Sequence, residues 1–474
     1  MLALIGLVVF ALAGPPAAAA PLVEAVPPVV VAVPEATGPA GPTCAQARER
    51  AGIRRPPERP RRPGIALPPP PDPSAMPLVV IRDRVVDVAA LPGARPEALP
   101  LQPLEGPREV LDRIARVLEG GDAGGRVRLT FFGASHTEGD HFTGRIRRVL
   151  QARWGDLGHG FVLPAAAFPG YRASDVNLCR SDGWTGDWTG RATGRGDGLL
   201  GFAGVSVSSG DPADFGWLET TRDNPQGREV GRFEVFALGQ PGSGTLRIQV
   251  DAAPPREVAT AASAPALLRF RVEVPDGPHR LVLAPAGDGE VRLFGVSMER
   301  DGPGAIVDAL GVRGETADSW LAWEPDMAAR GLATLDPDLV VLVYGTNEAN
   351  DSRWDAVSYR RDLEAVLARL RSVLPGEVPC VLVGPSDRAV EVARDRYAVW
   401  DRTAPVAAVQ REVAPAWGCA SWDWQAAMGG PGSMVAWRLH DPPLAAADLL
   451  HLTPAGYALA ADRFLAALEA TRAP

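Results

Sequence analysis

The chain has 474 residues, of which 46% are hydrophobic and 22% charged, so it has the composition of a globular protein and is long enough for two or three hydrophobic cores. Its formal net charge is -9, and its basic residues, all of which are Arg, form no basic tract. This balance argues against a nucleic-acid-binding protein, because such proteins present a basic surface to the phosphates.

The first 20 residues have the pattern of a secretory signal peptide. Leu2 to Gly14 is a short apolar run, and the alanines that follow end in a cleavage-like point near Ala20. The positive charge that usually precedes the apolar run is missing. A retained membrane anchor is the alternative, although the run is short for a membrane span. We expect a periplasmic or secreted protein, with a membrane tether at the N-terminus if the signal stays uncleaved.

Residues 21–106 are rich in Pro and Ala. Repeated prolines, including Pro68 to Pro71, exclude helix interiors and favour extended polyproline II. We therefore predict a largely disordered linker over this range. The apolar residues from Val79 to Val86 are the exception, because they would suit a strand added to a folded body.

A predicted strand and a predicted helix flank Ser135. Val127 to Phe132 is an apolar run typical of a buried strand, and Phe142 and Ile146 have the spacing of a helix face. At the turn between them, Gly133 allows a sharp bend, and the helix N-terminus beyond favours an anion. Such a turn suits a hydroxyl that attacks a carbonyl, although a tight turn with a capping Ser is the alternative.

Between residues 160 and 300 the helical periodicity disappears, and apolar residues alternate with polar ones, as at Leu246 to Val250. Short alternating segments separated by Pro and Gly turns predict an antiparallel β-sandwich. Three tryptophans in this block are candidates for stacking on sugar rings, with core packing as the alternative: Trp184, Trp188 and Trp217.

Helices and strands alternate again from Ile306, which predicts a parallel sheet covered on both faces. A strand-like run from Leu339 leads into Gly345-Thr346-Asn347. Since parallel strands deliver their C-terminal loops to one edge, the Asn347 amide could donate to an oxyanion near Ser135. A hydrogen bond within the loop is the structural alternative for Asn347.

Asp448 and His451 lie three residues apart, just before an apolar helix that begins near Ala455. This spacing can place the carboxylate beside the imidazole, where it fixes the tautomer of a base that accepts the serine proton. A capping Asp and a polar structural His are the alternatives. His440 and Asp441 form a rival pair, but Pro442 and Pro443 indicate a loop there.

Cys380 and Cys419 begin successive predicted strands, so a disulfide between them and two buried free thiols are both open alternatives. The other cysteines are Cys44 and Cys179. The spacing of Cys and His matches no zinc template, so we predict no metal site, and we predict no cofactor.

Four ordered segments resemble those of the SGNH, or GDSL-like, hydrolase superfamily: Gly133 to Thr137, Asp308 to Gly314, Gly345 to Asn347 and Asp448 to Thr453. Within it, Gly133 to Pro164 is similar to the bacterial peptidoglycan O-acetylesterases. The resemblance implies an α/β fold, an SGNH-hydrolase three-layer sandwich with a parallel central sheet in residues 107–159 and 301–474. It also implies an inserted all-β, carbohydrate-binding-like jelly roll in residues 160–300.

By the same resemblance, Ser135 is the nucleophile, His451 the base and Asp448 the residue that orients it. The oxyanion hole is formed by the amides of Ser135 and Gly314 and by the side chain of Asn347. The family usually has Asp before the nucleophile, where this chain has Ala134. That difference bears on the hydrogen bonds of the turn and on the level of activity more than on the reaction.

We therefore expect an exported serine esterase that removes O-acetyl groups from peptidoglycan, at O-6 of N-acetylmuramoyl residues, through an acyl-enzyme. The expected partner is O-acetylated peptidoglycan or another acetylated glycan, and not nucleic acid. The alternatives are an O-acetyltransferase, an esterase for another acetylated polysaccharide, and a non-catalytic glycan-binding protein, the last motivated by Ala134.

Overall fold

The computed structural model contains strands and helices along much of the chain. It describes residues 26–32, 44, 46, 78–81, 84–165, 167–168, 170–191, 194–374 and 376–473. The signal-like segment and most of the proline-rich stretch, including Pro68 to Pro71, lie outside these residues. No helix in the described ranges is long and apolar enough to cross a bilayer.

The strands of the described residues are, in chain order, β1 (Val29–Val30), β2 (Leu78–Ile81), β3 (Arg84–Asp87), β4 (Arg126–Gly133), β5 (Gly160–Val162), β6 (Val176–Arg180), β7 (Thr185–Trp188), β8 (Val205–Ser209), β9 (Gly216–Thr220), β10 (Val230–Gly239), β11 (Thr245–Val250), β12 (Arg256–Ala259), β13 (Ala266–Gly277), β14 (Arg280–Pro285), β15 (Val291–Glu299), β16 (Gly304–Gly311), β17 (Leu339–Val343), β18 (Cys380–Val383), β19 (Ala389–Ala393), β20 (Arg396–Val399) and β21 (Cys419–Trp422).

The α-helices of the same residues are α1 (Arg108–Asp122), α2 (Ser135–Glu138), α3 (His141–Trp154), α4 (Pro325–Leu335), α5 (Ala356–Val373), α6 (Thr403–Val413), α7 (Trp424–Ala427), α8 (Ser433–Leu439) and α9 (Pro454–Glu469). Short 3-10 helices lie at Val88–Ala90, Pro92–Ala94, Pro96–Ala98, Ala317–Ala322, Glu348–Asn350, Ala414–Trp417 and Ala470–Arg472.

A five-stranded parallel sheet has the strand order β16-β4-β17-β18-β21. Successive residues of β4 face opposite sides of it. Phe131 packs on Phe142 of α3 and Phe464 of α9, whereas Phe132 packs on Trp320. Because both faces are covered, β17 is apolar throughout and every residue of β4 after Arg126 is buried. The predicted α/β fold with a parallel central sheet is confirmed.

Two sheets, antiparallel except where β1 joins β13, are formed largely by the middle of the chain. One has the order β1-β13-β10-β15-β8-β7, with β5 also paired to β15, and the other has the order β12-β11-β14-β9-β6. The alternating residues Leu246, Ile248 and Val250 are buried in one core with Phe233 and Val235 of the facing sheet. The strands expected from alternation are therefore present. That residues 160–300 are a separate carbohydrate-binding-like domain stays a prediction.

A buried charge network joins the parallel sheet to the antiparallel one. Arg128 of β4 donates to Asp308 of β16 at 2.7 and 2.9 Å and to Glu299 of β15 at 2.8 Å. Asp308 also accepts from the amide of Phe161 in β5 at 2.9 Å. Burial opposes the ionisation of Glu299, but Arg128 and Arg232 hold its pKa below the usual value. Glu299 therefore stays charged and paired with Arg128.

Part of the predicted linker belongs to the folded body. β1 pairs in parallel with β13, β2 and β3 form a hairpin, and β2 also pairs with β20. The physical reason is apolar burial, since Val31, Val79 and Leu91 are covered by the body. This corrects the expectation of a largely disordered stretch over residues 21–106 for residues 26–32, 78–81 and 84–106.

Two disulfides are present in the described residues. One joins Cys380 and Cys419, which are paired neighbours at the start of β18 and β21. Of the two alternatives open for these cysteines, the disulfide is the one that forms. The other joins Cys44 to Cys179 of β6 and so attaches the N-terminal stretch to the antiparallel sheets.

Candidate active site

The loops that follow β4, β16 and β17 meet at the carboxyl edge of the parallel sheet. The three strands end level with one another, because Gly133 at the end of β4 pairs with the last residue of each neighbour. These loops carry Ser135, Gly314 and Asn347, respectively. The topology therefore brings together residues that are far apart in the sequence.

Ser135, His451 and Asp448 form a chain of hydrogen bonds. Ser135 is the first residue of α2, immediately after the β4 turn. Its Oγ lies 2.8 Å from His451 Nε2, and His451 Nδ1 lies 2.7 Å from Asp448 Oδ2. Since an ionised carboxylate only accepts, Nδ1 carries the proton and Nε2 accepts from the Ser135 hydroxyl.

The Asp448 carboxylate is held by the turn that leads to the histidine. Leu449 has a left-handed backbone with φ 54°, and Asp448 Oδ1 accepts from the amides of Leu450 at 3.1 Å and His451 at 2.9 Å. Burial acts against ionisation, but the bond from the His451 ring and the bonds from these amides keep the pKa of Asp448 below its usual value. The group is therefore a carboxylate, suited to stabilise an imidazolium.

Three candidate oxyanion donors follow from the predicted roles: the amides of Ser135 and Gly314 and the side chain of Asn347. In the described residues neither amide donates to a backbone carbonyl. Gly314 has a left-handed φ of 83°, and a Cβ built there would meet no atom within 4 Å, so its backbone borders open space. Asn347 Nδ2 donates to the Glu315 carbonyl at 2.7 Å, which orients the amide and leaves its second N–H for another acceptor.

Glu348 fixes the loop that carries Asn347. Its buried carboxylate accepts from the amide of Gly345 at 2.8 Å and from the amide of Ala317 at 2.9 Å. Burial raises the pKa of Glu348 to about 7, although these amide bonds act in the opposite direction. The two bonds join the loop after β17 to the segment that follows Gly314.

His136, the residue after Ser135, is buried and neutral. Its Nδ1 lies 2.8 Å from the Tyr457 hydroxyl, its Nε2 lies 3.4 Å from the Ser386 hydroxyl, and its ring centroid is 5.3 Å from that of His451. Burial, and then the charge of His451, lower the pKa of His136 to about 3. His136 therefore packs beside His451 and carries no charge near neutral pH.

Ala134 lies immediately before Ser135 and is buried. Its carbonyl accepts from the amides of Thr137 at 3.0 Å and Glu138 at 2.9 Å, which closes the single turn of α2. The turn is thus held by backbone bonds in the absence of an Asp side chain. Ser135 keeps its hydrogen bond to His451 with Ala at this position.

Two of the three candidate glycan-binding tryptophans lie in the core, which corrects their predicted role. Trp184 is 8% exposed and Trp217 is 7% exposed, and the Arg280 guanidinium covers the Trp217 ring at 4.3 Å. A ring without an open face cannot stack on a sugar. Trp188 is half-buried with its ring edge to face with Phe168, and its role stays a prediction.

The rival pair is not assembled as an acid–base couple. His440 Nδ1 lies 2.9 Å from the carbonyl oxygen of Pro442, so the ring is directed to the backbone. Among the residues that the structure describes, no group of three or more His, Cys, Asp or Glu side chains could hold a metal ion.

The sequence did not reveal Glu138 and Arg313, which join two sides of the site. Glu138 Oε2 accepts from Arg313 Nη2 at 3.0 Å across 175 residues of sequence. The position of Glu138, three residues after Ser135, was a usable signal because it places both residues on one helical turn. No local pattern indicated that Arg313 would be its partner.

Part of the chain matches the model of a known family. Residues 283–459 match the model of the GDSL-like Lipase/Acylhydrolase family. A solved structure of a peptidoglycan O-acetylesterase is 26% identical, with 78% of this chain and 98% of that chain covered and a TM-score of 0.64. The search of curated proteins found no match.

Two further solved structures are more distant. An acetyl xylan esterase is 17% identical, with 34% of this chain and 80% of that chain covered and a TM-score of 0.26. A family two carbohydrate esterase from Cellvibrio japonicus is 12% identical, with 50% and 85% covered and a TM-score of 0.19. At these TM-scores neither supports an inference for this chain.

The matched segment contains Gly314, Asn347, Asp448 and His451, and Ser135 precedes it. Strand β4, which leads to Ser135, is nevertheless paired on both sides with strands of the matched segment. The chain therefore has the SGNH hydrolase fold, carries a GDSL-like lipase/acylhydrolase domain, and is a carboxylic-ester hydrolase.

Proposed function

We propose that this enzyme is a serine esterase that removes O-acetyl groups from peptidoglycan, at O-6 of N-acetylmuramoyl residues. The observation that carries the proposal is the bonded chain from Ser135 Oγ to His451 Nε2 at 2.8 Å and from His451 Nδ1 to Asp448 at 2.7 Å. The substrate class is supported by the likeness to a peptidoglycan O-acetylesterase along 98% of that chain.

In the acylation step, Ser135 Oγ attacks the acetyl carbonyl carbon while His451 Nε2 accepts the hydroxyl proton. Asp448 stabilises the imidazolium that results, because its carboxylate accepts from Nδ1–H at 2.7 Å. The negative charge on the carbonyl oxygen is met by the amides of Ser135 and Gly314 and by the Asn347 amide. His451 then protonates the sugar oxygen, which leaves as the 6-hydroxyl, and the acetyl group stays on Ser135.

In the deacylation step, a water molecule replaces the sugar. His451 Nε2 takes a proton from the water, and the oxygen attacks the acetyl carbonyl carbon of the acyl-enzyme. The same donors bind the second oxyanion. When the tetrahedral intermediate collapses, His451 returns the proton to Ser135 Oγ and acetate leaves.

Acetate release from purified O-acetylated peptidoglycan tests the proposal. The protein without its first 20 residues is compared with Ser135→Ala, and Ser372→Ala is the control, since the Ser372 hydroxyl is exposed and donates to a helix carbonyl. We expect the wild type and the control to release acetate and Ser135→Ala to bind the wall material without turnover. Equal release by Ser135→Ala would refute the nucleophile.

Two other outcomes separate the alternatives. Transfer of acetyl to an added glycan acceptor, in place of release to water, would make the enzyme an O-acetyltransferase with the same acyl-enzyme. Binding to peptidoglycan by both wild type and Ser135→Ala, with no acetate from either, would favour a glycan-binding protein and overturn the esterase.

The proposal includes export, because peptidoglycan lies outside the cytoplasm. The disulfides Cys44–Cys179 and Cys380–Cys419 support it, since such bonds persist in oxidising compartments.

A further inference from the structure

Glu138 occupies the same short helix as Ser135 and packs closely on the neighbouring strand. A Cβ built on Gly311, the last residue of β16, would lie 2.2 Å from the Glu138 nitrogen, so α2 is pressed against the end of that strand. The Glu138 side chain is 2% exposed. Any displacement of Glu138 is therefore shared with the turn that begins at Ser135.

Arg313 lies on the other side of this contact, one residue before Gly314. Its guanidinium donates to Glu138 Oε2 at 3.0 Å and lies 5.9 Å from the Phe168 ring centroid. The Arg313 side chain is 49% exposed, so its position depends on these contacts and not on burial in the core. The contact from Glu138 thus links α2 to the residue that precedes Gly314.

The Glu138 carboxylate depends strongly on this contact. Its other oxygen, Oε1, is buried and has no hydrogen-bond partner in the described residues. A buried carboxylate with so few partners is costly unless a cation faces it. Arg313 Nη2 donates to one specific oxygen, Glu138 Oε2. The hydrogen bond therefore fixes the orientation of the guanidinium relative to the carboxylate.

We propose that the Glu138–Arg313 ion pair positions the Gly314 amide against Ser135, so that the two backbone donors of the oxyanion hole keep their separation during acyl transfer. Both residues are positioning residues, because neither touches the reacting atoms. The inference rests on the proposed function, in which these amides bind the oxyanion.

Half-exposed Arg313 could instead contact the glycan, and the two roles have different kinetic signatures. A glycan contact changes KM for the polymer and leaves a small acetyl ester unaffected. A positioning role lowers kcat for both substrates, because every acyl transfer needs the same oxyanion donors. A small ester therefore separates the two roles.

The experiment measures kcat and KM for 4-nitrophenyl acetate and for O-acetylated peptidoglycan with Arg313→Ala, Arg313→Lys and Glu138→Gln. Arg148→Ala is the matched control, because the Arg148 side chain is also partly exposed, at 31%. It pairs at 2.9 Å with the buried carboxylate of Asp175, which is 1% exposed. We expect Arg313→Ala to lower kcat for both substrates by about tenfold to a hundredfold with KM nearly unchanged. Arg313→Lys recovers part of the loss, and Arg148→Ala keeps the wild-type kcat.

Methylboronic acid supplies a second readout, since its tetrahedral adduct with Ser135 places an oxygen in the oxyanion hole. Inhibition by this probe weakens in Arg313→Ala and Glu138→Gln in proportion to the loss of kcat. If the ion pair only stabilised the fold, its loss would lower the fraction of folded enzyme, which active-site titration measures. The kcat and the inhibition constant for methylboronic acid, each expressed per folded molecule, would then stay unchanged.

The outcomes that overturn the inference differ from those that overturn the esterase. Arg313→Ala and Glu138→Gln could keep the wild-type kcat on 4-nitrophenyl acetate and raise only the KM for the polymer. This result would make Arg313 a glycan contact and refute the positioning role. Absence of any turnover that depends on Ser135 in the wild type refutes the proposed function itself. If Arg313→Ala fails to fold, Arg313→Lys and Glu138→Gln decide the question with the same readouts.

Discussion

The two N–H groups of the Asn347 side chain have separate partners in the proposed mechanism. One donates to the Glu315 carbonyl at 2.7 Å, and the other donates to the oxyanion. Asn347→Ala therefore lowers kcat by about a hundredfold or more, with little change in KM. Asn347→Asp keeps the shape of the side chain but removes both donors, so we expect a loss at least as large. Unchanged kcat in Asn347→Ala would exclude the residue from the site.

His136 gives the stability of the protein a dependence on pH. Its pKa in the folded state, about 3, lies below the ordinary value of 6.5, so the folded state binds fewer protons than the unfolded state between these pH values. The free energy of unfolding therefore falls as the pH decreases below 6.5, by up to about 1.4 kcal/mol per pH unit from this group.

Urea unfolding of wild type and His136→Gln at pH 7.5 and pH 5 checks this dependence. The variant is less stable at pH 7.5, because the bonds to Tyr457 and Ser386 are altered. Between the two pH values, the free energy of unfolding of the variant changes by about 2 kcal/mol less than that of the wild type. Parallel pH dependences for the two proteins would show that His136 is not the titrating group.

Local motifs were enough to single out Ser135, Asn347, Asp448 and His451 as candidates, because each follows a strand or precedes a helix in a recognisable pattern. Their catalytic roles stay predictions. Local motifs were not enough for Trp184, since burial depends on strands that pair with it from elsewhere in the chain. The same reason explains why Arg313 was missed. Its partner is defined by the alignment of β16 and β4, and not by any local spacing.

Among the elements, α2 and β16 are in close contact at Gly311 and Glu138. Gly311→Ala would place a Cβ 2.2 Å from the Glu138 nitrogen and 2.7 Å from the Thr137 carbonyl carbon. Both are backbone atoms of α2, so the helix must move. We expect this variant to lower kcat by at least tenfold and to reduce the free energy of unfolding by about 1–3 kcal/mol.

Gly120→Ala is the control for this substitution. Gly120 lies within α1, and a Cβ there meets no atom within 4 Å. Alanine should stabilise the helix by about 0.5–1 kcal/mol and leave kcat unchanged. Thermal unfolding and small-ester kinetics measure both effects. Wild-type kcat in Gly311→Ala would mean that the position of α2 is not critical for catalysis.

The elements of the α/β part were predicted from sequence because hydrophobic periodicity marks each buried strand and each amphipathic helix. Strand β1 was not predicted, since two exposed valines become a strand only through pairing with Phe270 and Arg271. Residues 317–335 form a 3-10 helix followed by α4, which begins at Pro325. Proline is well suited to the first turn of a helix but not to its interior.

At the scale of the whole molecule, the buried network around Arg128 makes the parallel and antiparallel sheets dependent on each other. Arg128→Met would leave Asp308 and Glu299 without their main cation. Removing one partner of a buried ion pair costs about 3–5 kcal/mol, so we expect a loss of that size in the free energy of unfolding.

Arg247→Met is the matched control, because the pair between Arg247 and Glu257 is largely exposed and its loss should cost no more than about 1 kcal/mol. Urea unfolding is followed by tryptophan fluorescence and by acetyl-ester activity. The two probes should report one shared midpoint that moves in Arg128→Met. A midpoint unmoved by Arg128→Met would show that the sheets are stable independently of the network.

The disulfide between Cys44 and Cys179 also changes the covalent topology of the chain. It closes a loop that spans 135 residues and contains β2, β3, α1, β4 and Ser135. A single proteolytic cut anywhere inside that loop leaves one covalent molecule, since the two pieces remain joined through sulfur. The cleaved enzyme would run as an intact chain on a gel until it is reduced, and the segment that carries Ser135 could not diffuse away from the rest of the site.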